Sequence, residues 1–277
     1  MLFIINAKSG IGKKRGIAQM LRSKGYNVVF TEYAGHAETL ARECDDEVVV
    51  AVGGDGTVNE VARGIIGSEK TLGIIPCGSG NGLARHLGIS LIPAIALKTI
   101  EKGNIERIDA AEVNGRLFLS VCGVGFDAEV SERFAQGRQR GVFNYIRYGL
   151  NILNNYPAGR YTIEIDGEKI ETEAILITVG NSNQWGNGAM ITPLAECNDG
   201  VLDVTVVERF SSLETPWLAC RLMTGSLHKS HRVHCYKGKE IRIIREEAGA
   251  AHTDGDLFTT GRTLNIKTLP SALKVIV

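Results

Sequence analysis

The sequence has no pair of cysteines at metal-binding or redox spacing. Its six cysteines, Cys44, Cys77, Cys122, Cys197, Cys220 and Cys235, are scattered and form no Cys-x-x-Cys. That spacing excludes a disulfide framework and a zinc ribbon, so the thiols read as reduced. No apolar run approaches the ~20 residues of a membrane-spanning helix. A strand is expected from residue 2 onward, so no secretory leader is expected either. An excess of one charge is also missing, because 31 Lys+Arg balance 31 Asp+Glu. A strongly basic nucleic-acid binder is thereby excluded. The chain has no internal repeat and no low-complexity linker. Two phosphate-binding signatures are absent as well. Lys13 follows Gly12, but Ala7 stands where a Walker A loop needs its first glycine. Gly78-x-Gly80 is followed by Leu83, where the dinucleotide fingerprint needs its third glycine.

What the sequence does have is glycine, 33 in 277 residues, much of it in short clusters just after apolar runs. Over residues 1–108, strands expected at 2–6, 27–31, 47–52 and 71–75 alternate with helices expected at 14–24, 36–43, 57–66, 81–87 and 93–102. The run at 47–52 is β-branched on both faces, as in a buried parallel strand. This order implies a Rossmann-like, three-layer α/β domain, which residues 268–277 are expected to rejoin. Residues 109–267 read mostly as strand, with turns at Asn114-Gly115, Asp166-Gly167, Asp199-Gly200, Lys237-Gly238 and Asp254-Gly255. One helix is expected at 213–224 and a helical stretch at 128–155. The fold class is therefore α/β, an N-terminal Rossmann-like domain plus a C-terminal β-sandwich-like domain.

Three loops leave the C-terminal ends of the predicted strands: Asn6-Ala7-Lys8-Ser9-Gly10, Gly53-Gly54-Asp55-Gly56-Thr57 and Pro76-Cys77-Gly78-Ser79-Gly80-Asn81. Ligands of open α/β sheets bind at that edge. Glycine lets backbone N–H groups turn onto an anion, and a helix N-terminus favours the anion by about 0.3–1 kcal/mol. Ser9, Thr57 and Ser79 add hydroxyls, and three such loops imply a polyphosphate. Asp55 would repel a phosphate unless a cation lay between them. It is expected to orient a magnesium ion, the alternative being a cap on the helix that follows.

At these loops the sequence resembles the diacylglycerol kinase catalytic family, which includes bacterial lipid kinases, sphingosine kinases and ceramide kinases, with NAD kinases more distant. NAKSGIGK, VAVGGDGTVNEVARGI, LGIIPCGSGNGLARHLGI, FLSVCGVGFDAEV and VGNSNQWGNGAMITPLAECNDGVLDV are similar to its motifs, and the match covers nearly the whole chain. The resemblance implies an ATP-dependent kinase that phosphorylates a lipid hydroxyl, with ATP and Mg2+ as cofactors. It assigns the nucleotide to Asn6, Ala7, Lys8, Ser9, Gly10, Thr31, Gly53, Gly54, Asp55, Gly56, Thr57, Asn59, Glu60, Gly78 and Ser79. It makes Asp55, Asp254 and Asp256 the catalytic set. Asp55 and Asp254 would place magnesium, and Asp256 would accept the hydroxyl proton. Asp256 stands where glutamate is usual in the family, a reach shorter by about one methylene.

Asp127 or Glu129 would bind the polar head of the lipid, although Asp127 reads equally as a helix N-cap. Arg138 and Arg140 suit anionic groups or a solvated turn. The face carrying Phe143, Tyr145, Ile146, Leu150 and Leu153 suits core packing better than contact with a membrane. A structural magnesium is implied at Glu196, Asp199 and Val201, partly through main-chain oxygens. His228, His231 and His234 enter a strand, where 231 and 234 face opposite ways, and so do not read as a metal site. Trp185 and Trp217 read as structural. The expected partner is a lipid substrate reached by peripheral membrane contact from the cytoplasm, with no nucleic acid. An edge strand of the β-rich domain would permit a homodimer. Two other functions stay open: an NAD kinase, and a non-catalytic nucleotide-binding regulator.

Overall fold

A computed structural model describes residues 1–6, 11–126, 128 and 156–277. The helical stretch expected at 128–155 therefore lies outside the described residues, residue 128 apart. The chain divides into two units, Met1–Asp109 with Pro270–Val277, and Ala110–Leu269.

In the first unit four strands run parallel: β1 (Leu2–Asn6), β2 (Asn27–Thr31), β3 (Val48–Gly53) and β4 (Thr71–Pro76), in the order β2-β1-β3-β4. They alternate with α1 (Ile11–Ser23), α2 (His36–Glu43), α3 (Asp55–Ile65), α4 (Gly82–His86) and α5 (Pro93–Lys102). Phe3, Ile4 and Ile5 of β1 and Val49 to Val52 of β3 are all buried. Both faces of these strands are thus covered, which the unbroken apolar runs require. β5 (Ile105–Val113) leads out of the unit. The chain returns at its end in β16 (Thr263–Ile276), whose Lys274 and Val275 pair in parallel with Thr71 and Leu72 of β4.

The spacing of Val58, Val61, Ala62 and Ile65 gives α3 one buried face. α2 buries only Ala37 and Ala41, and its C-terminus is held from outside. The Lys70 ammonium donates to the carbonyls of Ala41, Arg42 and Cys44 at 2.9, 3.0 and 2.7 Å. These are end carbonyls with no intrahelical partner, and a cation there also meets the negative end of the helix dipole. Replacing Lys70 with methionine is expected to cost about 1–2 kcal/mol, read as a lower urea midpoint with an unchanged slope.

The second unit is a sandwich. One antiparallel sheet contains β7 (Val121–Gly125), β10 (Leu176–Gly180), β11 (Leu202–Val207), β12 (Val233–Gly238), β14 (Gly249–Thr253) and β15 (Asp256–Thr260), in the order β12-β11-β10-β7-β14-β15. The other contains β8 (Gly159–Ile165), β9 (Glu168–Ala174), β13 (Glu240–Arg245) and the first part of β16. β6 (Arg116–Phe118) folds back on β5 across Asn114 and Gly115, both at positive φ. Ile163, Ile241 and Leu264 of the second sheet pack with Ile177, Val204 and Val206 of the first. The far side of the first sheet packs Leu176 and Val207 against Leu218 of α6 (Thr215–Met223). The Lys237-Gly238 turn is not a hairpin. β13 pairs with β8 and β16, not with β12, so the chain crosses there from one sheet to the other. A Cβ on Gly238 would lie 2.3 Å from Ile165 Cγ2, so this close crossing requires glycine.

Candidate functional site

β1 lies between β2 and β3, and at that point the strand order reverses direction. Ligands of open α/β sheets bind outside the carboxyl ends of the strands at such a point. Asn6 and Thr31 end their strands side by side in register. Asn6 Nδ2 donates to Thr57 Oγ1 at 3.1 Å, joining the end of β1 to the start of α3. Thr31, Thr57 and Asn59 are buried. Ala7, Lys8, Ser9 and Gly10 lie outside the described residues.

The second and third glycine loops are bonded to each other. Cys77 N donates to the Gly53 carbonyl at 2.7 Å. Gly54 and Gly78 meet backbone to backbone, since a Cβ on Gly78 would lie 2.5 Å from Gly54 Cα. Asp55 completes the link: its Oδ2 accepts Asn81 N at 2.9 Å and its Oδ1 accepts Gly82 N at 2.7 Å. It therefore holds the start of α4 from the start of α3. Burial pushes the Asp55 carboxyl up, and these two amides pull it partly back. Both oxygens thus hold the second and third loops in one arrangement. Asn81, in the left-handed region at φ 51°, exchanges two 2.9 Å hydrogen bonds with Gly78 through its side chain. Ser79 stays exposed. Glu60 points elsewhere, its Oε2 accepting Ala37 N at the start of α2 at 3.1 Å.

Two basic residues of this region had no place in the sequence reading. Lys14 is 2% exposed, and its ammonium donates to the Asn6 carbonyl at 2.9 Å. Burial lowers its pKa and raises that of the neighbouring Cys77, each charge partly opposing the other's shift. Arg85 Nε donates to the Gly80 carbonyl at 3.1 Å. In the sequence Lys14 is only the start of the helix expected at 14–24, and nothing local marks it as buried.

In the second unit Asp254 occupies the β14–β15 turn at φ 50°. Its carboxylate accepts three main-chain amides, Leu119 N at 2.7 Å, Ser120 N at 2.9 Å and Val121 N at 2.8 Å. The carboxylate expected to place magnesium is thus committed to the backbone that enters β7. Asn181, fully buried, donates to the Leu119 carbonyl at 2.9 Å and reinforces the same segment. Asp256 opens β15 and is exposed. Asp127 and Glu129 lie outside the described residues, as do Arg138, Arg140, Phe143, Tyr145, Ile146, Leu150 and Leu153.

The residues of the implied structural magnesium site make contacts of their own. Asp199 Oδ1 accepts Val201 N at 3.2 Å, and Asp199 Oδ2 lies 3.2 Å from the Lys237 ammonium. That ammonium also lies 3.3 Å from Asp203 Oδ2, at ion-pair distance. Burial pushes the Asp203 carboxyl up to about 6 against the pull of Lys237. Glu196 is exposed nearby. Among the described residues no group of three His, Cys, Asp or Glu side chains is placed to hold a metal ion. His231 and His234 each face a carboxylate, Glu214 at 3.5 Å and Glu208 at 2.8 Å.

Residues 1–113 match the family model of the diacylglycerol kinase catalytic domain. Residues 120–277 match that of the YegS C-terminal NAD kinase beta sandwich-like domain. A diacylglycerol kinase of Staphylococcus saprophyticus is 31% identical over 248 residues, covering 86% of this chain and 81% of that protein. A protein of Synechocystis sp. is 31% identical over 241 residues, 83% of this chain, and the chain spans about half, 54%, of that relative's length. The crystal structure of a diacylglycerol kinase from Bacillus anthracis superposes with a TM-score of 0.78 at 26% identity, covering 99% of this chain and 95% of that one. The chain therefore belongs to the diacylglycerol kinase catalytic family, a family of lipid kinases.

Proposed function

We propose that the protein transfers the γ-phosphoryl group of ATP to the hydroxyl of a lipid of the diacylglycerol or sphingoid type. The observation that carries the nucleotide half of this reading is Gly56. It is the second residue of α3, it is exposed, and its φ lies outside the left-handed region. Among the described residues, a Cβ there would meet no atom within 4 Å. Neither the packing nor the backbone conformation asks for glycine, whereas a phosphate seated close against a helix N-terminus does. Family membership supports the lipid acceptor.

Within this reading the N–H groups at the start of α3, with the hydroxyls of Thr57 and Ser79, bind phosphate oxygens. Lys14 supplies buried positive charge behind the loop, and Asp55 keeps the second and third loops in one arrangement. A magnesium ion bound with ATP would spread the charge of the phosphates. The acceptor oxygen forms a bond to the γ-phosphorus as the bond to the bridging oxygen breaks, and ADP leaves. Asp256 takes the hydroxyl proton, and Asp254 fixes the turn that presents it. In a loose transition state, positioning and charge neutralisation outweigh proton abstraction. The acceptor would be met at a membrane surface; among the described residues no helix is long and apolar enough to cross a membrane.

The test is transfer from labelled ATP, with magnesium, to a panel of lipids in mixed micelles, with NAD as a parallel acceptor. Label is expected in the organic phase, in a product whose mobility names the acceptor class. Label confined to NADP would replace the proposal with an NAD kinase. ATP binding without turnover would replace it with a regulator.

A further inference from the structure

The Asp199 turn lies directly before β11, and the β11–β12 ladder places Lys237 opposite Asp203. From there the lysine side chain reaches three oxygens. Its ammonium lies 3.2 Å from Asp199 Oδ2, 3.3 Å from Asp203 Oδ2 and 3.3 Å from the Leu194 carbonyl. Two carboxylates and a main-chain carbonyl are the donor set that a hard divalent cation takes. The separations, however, are those of an ammonium: oxygens around magnesium or calcium close to about 2.0–2.6 Å. The Asp203 side chain is only 5% exposed, and a buried carboxylate needs a positive partner. Lys237 supplies it. A divalent ion brought to the same oxygens would have to expel a covalently tethered positive charge first.

We propose that the Lys237 ammonium is the resident cation of this turn, standing where the family resemblance would put a structural metal ion. The turn then needs no divalent ion, and its cation cannot be chelated away. Removing the ammonium would leave two carboxylates and a carbonyl facing one another, which is a vacant cation site. Glu196, close enough to influence Asp203, would add to its negative charge.

The test uses the full chain without nucleotide. Wild type is expected to melt at the same temperature in EDTA and in millimolar Ca2+ or Mg2+, and to show no Mn2+ binding that Asp199→Asn removes. Lys237→Met is expected to melt lower by on the order of 5 °C. It should recover part of that loss in Ca2+ or Mg2+, and Asp199→Asn in the same chain should abolish the recovery. A wild type destabilised by EDTA, or one with Asp199-dependent Mn2+ binding, would overturn the proposal, and this arm decides even if Lys237→Met does not fold. So would a Lys237→Met protein that melts like wild type or that gains nothing from a divalent ion.

Discussion

Replacing Gly56 with alanine is expected to lower kcat/KM for phosphoryl transfer by about 100-fold while leaving the fold as stable as before. The two halves of this result have separate causes. A methyl group at position 56 meets no atom of the described residues within 4 Å, and the backbone there is one that alanine adopts freely. Glycine inside a helix costs up to about 1 kcal/mol relative to alanine, so the substitution leaves stability unchanged or raises it slightly. The same methyl group stands where a phosphate would approach the α3 N-terminus, and displacing a reacting group by about 1 Å is enough for a 100-fold loss. Gly78→Ala is the contrasting control. Its Cβ would lie 2.5 Å from Gly54 Cα, so melting temperature and activity should fall together. A fully active Gly56→Ala enzyme would show that the phosphates bind elsewhere.

Asp254 and Asp256, two residues apart, are expected to fail in opposite ways. Asp254→Ala strips the partner from three main-chain amides, those of Leu119, Ser120 and Val121. An unpaired buried donor costs about 1–3 kcal/mol, so the variant should lose at least about 3 kcal/mol of stability and much of its soluble yield. Asp254→Asn keeps one acceptor oxygen and tolerates the positive φ, so it should lie between the two. Asp256 is exposed, and Asp256→Asn should melt within a degree or so of wild type. Its kcat should drop by about 100-fold, the low end for loss of a general base, because a loose phosphoryl transition state asks little of one. Chemical denaturation paired with steady-state kinetics on the three variants separates these outcomes. A stable, inactive Asp254→Ala protein would instead point to a direct part for Asp254 in the chemistry.

The elements whose signals are local were legible in the sequence. β2 at Asn27–Thr31, α2 at His36–Glu43 and α5 at Pro93–Lys102 have the expected boundaries, each set by short-range periodicity or by a proline at the helix start. The motifs also led to the glycine loops. The hydrogen-bond partners of the acidic residues were not legible, because they are mostly main-chain amides, which no side-chain pattern marks. Asp55 is bonded to amides 26 and 27 positions further on, and Asp254 to amides more than 130 positions earlier. The Lys237–Asp199 contact spans 38 positions and depends on strand register, which composition does not encode. Lys14 was hidden for a related reason: a lysine beside another lysine reads as solvated until the fold closes over one of them.

The return of the last residues to β4 bears on how the protein is made. Leu273, Val275 and Ile276 are buried in the first unit, and Val277 N donates to the Asn104 carbonyl at 2.9 Å. During synthesis every residue of the β-rich unit emerges before residues 270–277 do. Until then β4 presents an open edge, a template for pairing with the wrong chain. A nascent chain stalled before residue 270 would carry all three glycine loops on a sheet that still lacks the pairing of β4 with β16.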